Sequence, residues 1–157
     1  HGYSSGIDIY ASIHRRAFLY DNIGTIIPVD LPPRPLIVAN TGTPVTSTGE
    51  CVSAVNRNFG RDTEIWKRFS NTTREMVMAL ETDHTELVRR AVRQNHLLLS
   101  QIGVVPDVIS QWINTQPTVG KICGAGSIRG NEAGMVWLLD PLENTDYPLE
   151  KLMPLFN

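Results

Sequence analysis

Leu87, Val88, Ala91, Val92, Leu98, Leu99 and Ile102 recur at steps of three and four residues, the feature that most constrains the fold of this chain. On a turn of about 3.6 residues these positions gather into one apolar stripe, so the segment is a helix that must pack against something. Ile65, Trp66, Phe69, Met76, Val77 and Leu80 carry the same period just before it. Earlier still, Cys51, Val52, Val55 and Phe59 begin a helix that Ser47 or Thr48 can cap, with Glu50 in its first turn. Gly103 stands where a helix-ending glycine belongs, and Val108, Ile109, Trp112 and Ile113 after Pro106 predict a shorter helix.

The flanks read differently. Ala11 to Tyr20 leads into Thr25 to Leu31, rich in β-branched residues with alternation, and Leu36 to Ala39 follows the Pro32-Pro33-Arg34-Pro35 punctuation. Val119 to Cys123 and Met135 to Leu139 predict two further strands around the loop Gly124 to Gly134, and Pro148 to Phe156 a last short helix. Strands, then helices, then strands predict an α+β sandwich: a mainly antiparallel sheet with helices on one face, in a ferredoxin-like arrangement. With no internal repeat, low-complexity tract or long linker, residues 1–157 are expected to form one unit.

Composition narrows the partners. Of 157 residues 41% are hydrophobic, enough for a core, and 14 basic against 16 acidic side chains leave a formal charge of −2. No whole-molecule field therefore favours nucleic acid or an anionic membrane, and any anion must be held locally. Apolar runs such as Leu97 to Leu99 fall far short of the roughly 18 to 20 residues that span a bilayer. Cys51 and Cys123, without CxxC spacing, fit a reducing cytoplasm and are expected to be buried, unpaired thiols. His1, His14, His84 and His96 form no ligand pair with a suitably placed carboxylate, so no metal site is expected. His84, His96, Trp66 and Trp112 are expected to be packing or surface residues.

Three stretches could carry chemistry. In His1-Gly2-Tyr3-Ser4-Ser5-Gly6-Ile7-Asp8 small residues admit a ligand to the backbone, and Asp8 follows as a lone carboxylate able to act as a general base on a hydroxyl. Ser5 and Asp8 equally have the spacing of a helix capping box. The Gly124 to Gly134 loop could turn glycine amides toward a phosphate, or be a flexible strand connection, with the role of Arg129 open. Thr41 to Glu50 is a hydroxyl-rich turn into a helix amino end, which can attract an anion or be a simple cap.

In order and spacing these stretches resemble the carboxy-terminal part of the GHMP superfamily of small-molecule kinases, the mevalonate kinase family above all. The first is similar to that family's HGxxSGxD motif, and Lys121-Ile122-Cys123-Gly124-Ala125-Gly126 to the start of its KxTGAGGGG motif. After Gly126 this chain departs from the glycine run, with Ser127-Ile128-Arg129-Gly130-Asn131-Glu132-Ala133-Gly134. The resemblance implies a phosphotransferase with an alcohol acceptor, acting on the hydroxyl of mevalonate in isoprenoid precursor synthesis in the cytoplasm. It implies Asp8 as the catalytic base, Ser5 and Thr48 as substrate-binding residues, and Gly124 and Gly126 as the loop lining the phosphate cleft. ATP and Mg²⁺ are its implied cofactors in the intact enzyme. The family's ATP-phosphate loop, magnesium ligands and catalytic lysine belong to an amino-terminal domain, so the chain, which opens in mid-pattern without methionine, is expected to be a truncated piece. Alone it is expected to be inactive and to hold no cofactor tightly. The expected partners are a small-molecule substrate, the amino-terminal domain, and a second copy wherever exposed apolar surface pairs in a homodimer. A phosphomevalonate or sugar kinase, or a non-catalytic small-molecule-binding or regulatory module, are the alternative readings.

Overall fold

The computed structural model describes residues 6–20, 24–30 and 36–139. The first element is a helix, α1 (Ile7–His14), where Ala11 onward was expected to lead into a strand. Its N-cap is Gly6 at φ +73°, so the capping box expected over Ser5 and Asp8 does not start this helix. Tyr10 stacks on His14 one turn later with ring centroids 4.0 Å apart, a pairing only helical spacing provides. The apolar signal misleads here because Ile9 and Ile13 point outward and are exposed. Strands β1 (Phe18–Tyr20) and β2 (Ile26–Pro28) then form an antiparallel pair with Leu19 opposite Ile27.

Strand β3 (Leu36–Asn40) precedes the helical run α2 (Thr48–Phe59), α3 (Thr63–Glu81), α4 (Thr85–Gln101) and α5 (Asp107–Thr115). Ser47 caps α2 in a full capping box, its hydroxyl accepting from the Glu50 N–H while the Glu50 carboxylate accepts from the Ser47 N–H at 2.8 Å. Asp62 caps α3 by accepting from the Ile65 N–H at 3.1 Å. Gly103, at φ +78°, ends α4: its N–H bonds the Ser100 carbonyl and that of Val104 the Leu99 carbonyl, the paired bonds of a Schellman close.

Strands β4 (Val119–Ile122) and β5 (Met135–Leu139) complete a three-stranded antiparallel sheet in the order β3-β5-β4. The described strands thus divide into a pair and a triplet. The predicted Pro148 to Phe156 helix lies outside the described residues.

Register assigns the faces. Val136 is opposite Ala39 and Ile122, and Leu138 opposite Ile37 and Gly120, so these side chains share one face. That face joins Ile65, Leu98, Ile109, Trp112 and Ile113 in the main core, where each fully buried aliphatic side chain contributes about 1.5–3 kcal/mol. Trp137 is opposite Val38 and Lys121, and Leu139 opposite Leu36 and Val119, on the other face. There Val119, Trp137 and Leu139 pack with Ala79, Val88 and Val92 of α3 and α4. Helices therefore meet both faces, where helices on one face were expected; α4 reaches both because Leu98 and Val92 lie on different sides of it.

Candidate functional site

The amino end of α2 and the Gly124 to Gly134 loop, nearly eighty residues apart in sequence, meet in one hydrogen-bonded junction. Thr46, just before the cap, is buried, and its hydroxyl shares a hydrogen bond with that of Ser127 at 2.7 Å. The same Thr46 oxygen accepts from the Ile128 N–H at 3.3 Å, and the buried Cys51 thiol lies 3.7 Å from the Gly126 carbonyl. At the loop's far end the Thr41 hydroxyl donates to the Gly134 carbonyl at 2.8 Å and accepts from the Ala133 N–H at 2.9 Å. Buried hydroxyls satisfied this fully fix a backbone rather than merely tolerate burial. The loop is therefore tied down by hydrogen bonds at Ser127 and Ile128 and again at Ala133 and Gly134.

Within it the two glycines do different jobs. Gly126, at φ +66°, is buried, and a Cβ there would run into the Val104 carbonyl oxygen and the Ile122 side chain. Gly124, at φ +84°, is exposed with open space where a Cβ would stand, so its backbone is the part of the motif a ligand can approach. Thr48, on the first turn of α2, is exposed and not the cap; Thr48 and Gly49 supply amides that precede the first intrahelical bonds. An apolar cavity of about 270 Å³ opens beside the junction between α2 and α4, lined by Val52, Val55, Leu99, Gly124 and Ala125.

Arg129, undecided from sequence, forms an exposed ion pair with Glu50 at 2.7 Å. Hydrogen bonds from Ser47, backbone first, hold the Glu50 carboxyl below its usual pKa, and Arg129 adds to this. The helix end thus carries a built-in carboxylate whose charge the loop arginine balances. Asp8 falls in the first turn of α1, which is joined to β1 by an edge-on ring contact between Tyr10 and Phe18. Ser5 lies outside the described residues. The structure joins Gly126 to the start of α2 through Cys51, and Gly124 lines the cavity beside it with Val52 and Val55; Thr48 falls on the exposed first turn of that helix, and the contacts described for α1 run to the β1–β2 pair.

Other groups escaped sequence reasoning. The Lys121 ammonium lies over the Trp137 ring, 5.9 Å from its centroid, and burial lowers its pKa, opposed by Cys123. Strand alternation alone could have put Lys121 on the Val119 face, but not Trp137 opposite it. His96 is buried, as packing residues are, with its Nε2 3.1 Å from the Ser110 hydroxyl; burial first and Lys121 second lower its pKa. Cys123, expected to be buried, is half-exposed, and its burial still raises the thiol pKa, while Cys51 is buried and free as expected.

No protein-family model and no curated protein matches the chain. Among solved structures it is similar to the L. major mevalonate kinase crystallised with R-mevalonate, with a TM-score of 0.77, 20% identity, and coverage of 98% of this chain and 49% of that one. It is also similar to the Lin0012 protein from Listeria innocua, with a TM-score of 0.61, 21% identity, and coverage of 85% and 39%. The chain spans half or less of the length of these two structures. The likeness is one of fold alone: an α+β arrangement of helices and small antiparallel sheets.

Proposed function

We propose that this chain is the acceptor-side, carboxy-terminal portion of an ATP-dependent small-molecule kinase, its fold a variant of the ferredoxin-like sandwich, and that the whole protein phosphorylates the hydroxyl of mevalonate. The observation that supports this reading is the junction of two segments, the α2 amino end that carries Thr48 and the glycine loop whose backbone is exposed at Gly124, which meet through Thr46 and Ser127 as two motifs of a shared cleft would. The fold likeness over 98% of the chain supports it.

In this reading Asp8 accepts the proton of the acceptor hydroxyl, Thr48 and Ser5 orient that hydroxyl, and the Gly124 turn shapes the cleft wall. Among the described residues no group of three or more His, Cys, Asp or Glu could hold a metal ion. In this reading Mg²⁺ and ATP would be held by parts of the protein outside these residues. No described helix is long and apolar enough to cross a membrane.

The test uses the intact protein with ATP, Mg²⁺ and a panel of mevalonate, phosphomevalonate and simple sugars. Mevalonate should be the preferred acceptor, and Asp8→Asn should lower its turnover by about 10²- to 10⁴-fold, the usual share of general base catalysis. Undiminished turnover would remove Asp8 from the chemistry, and preference for another acceptor would move the chain to another branch of the superfamily. A second reading, a binding module without chemistry, is favoured by the Glu50–Arg129 pair, which places a carboxylate at the helix end where a phosphate would otherwise be attracted. Tight mevalonate binding without phosphorylation by the intact protein would select it.

A further inference from the structure

A second cavity, of about 260 Å³, lies against the Lys121 face of the sheet and shares no lining residue with the junction of α2 and the glycine loop. For scale, an apolar cavity of about 150 Å³ holds a benzene ring. Phe18 comes from the β1–β2 pair, Met76 and Leu80 from α3, and Val92 from α4, so the wall is mainly hydrocarbon. Its polar side chains are few: Thr72, Thr73, Asn95, Lys121 and, through its indole N–H, Trp137. Asn95 keeps a buried Oδ1 without a hydrogen-bond partner, and such an acceptor is costly to leave unmatched. Lys121 is the only ionisable side chain among the described residues lining the cavity, and Trp137 beneath it fixes where its charge sits.

We propose that this cavity is a binding site for a small amphipathic carboxylic acid, its apolar body seated among Phe18, Met76, Leu80 and Val92 and its carboxylate on the Lys121 ammonium. Apolar pockets that bind ligands orient them with a few polar groups in this way. A single ammonium matches one negative charge. A phosphate would call for several donors, and neither an arginine nor the first turn of a helix lines this wall. A hydroxyl on the ligand would give Asn95 Oδ1 its missing donor. Burial already disfavours the charged form of Lys121, and a bound anion reverses that cost.

The probe is octanoate, with octanol and octylamine as neutral and cationic counterparts, titrated calorimetrically into the full chain. Octanoate should bind at least about tenfold more tightly than either counterpart, the worth of one charge-assisted contact. Lys121→Met should abolish that preference while leaving octanol affinity within about threefold, and Lys121→Arg should keep it. Contacts between isotope-labelled octanoate and the Trp137 indole, read by nuclear Overhauser effects, should place the ligand in the cavity. Absence of octanoate binding to the unmodified chain, equal affinity for all three probes, or contacts confined to another site would each overturn the proposal.

Discussion

The same three strands present two unlike surfaces. On one face Ile122, Val136 and Leu138 are at most 1% exposed. On the other, Leu36, Val38 and Met135 are 53%, 49% and 41% exposed, and Lys121 and Trp137 are half-buried beside a cavity. Because side chains alternate along a strand, one run of sequence serves both surfaces at once. The first face is packed along its length, whereas the second packs at Val119 and Leu139 and elsewhere leaves room for a charge and a cavity.

The largest test of that division is truncation on either side. Leu138→Ala should cost about 2–5 kcal/mol in urea unfolding, since a fully buried leucine leaves a cavity, whereas Val38→Ala should stay within about 0.5 kcal/mol. Equal losses would break the comparison. The glycine loop sharpens it on a smaller scale. Gly124→Ala and Gly126→Ala each place a side chain at positive φ, costing about 1–2 kcal/mol. Gly126→Ala should lose a further ~1–3 kcal/mol, because its Cβ meets the Val104 carbonyl and Ile122 of the packed face. Gly124→Ala should disturb ligand response more than stability.

The smallest effect links the two sides through His96. Its folded pKa lies below the ordinary 6.5, so above pH 6.5 folded and unfolded states both hold it neutral and its stabilising contribution is whole. As pH falls below 6.5 the unfolded chain takes the proton first, and stability declines until the folded pKa is passed. Stability measured between pH 8 and 5 should therefore drop on the acid side, and Lys121→Met, by removing the nearby positive charge, should raise the His96 pKa in an NMR titration. An unmoved His96 titration would separate the open face from the α4 core.

Most of the architecture was readable where one face of an element is apolar. The stripes of α3 and α4, the Ser47 and Glu50 pairing and the glycine at 103 each follow from local chemistry, and the structure reproduces them. The start of the chain was not, because Ile9 and Ile13 on α1 face outward and imitate a strand's alternation. The order β3-β5-β4 was hidden too, since nothing local in Met135–Leu139 marks it as the central strand. For the candidate site, the glycines and the hydroxyl-rich turn were visible as residue types. That Thr46 would join Ser127, 81 positions away, was not, because such a pairing exists only once the strands have assembled.

The central place of β5 has a consequence for how the chain is made. β3 is synthesised nearly a hundred residues before the strand that pairs with it, and β4 also waits for that strand. On the ribosome the α3–α4 hairpin can close from local contacts, but the sheet has no middle until Met135–Leu139 emerges. Until then β3 and β4 lack the strand they pair with, so a nascent chain stalled before residue 135 should be more prone to edge-to-edge association than the finished fold.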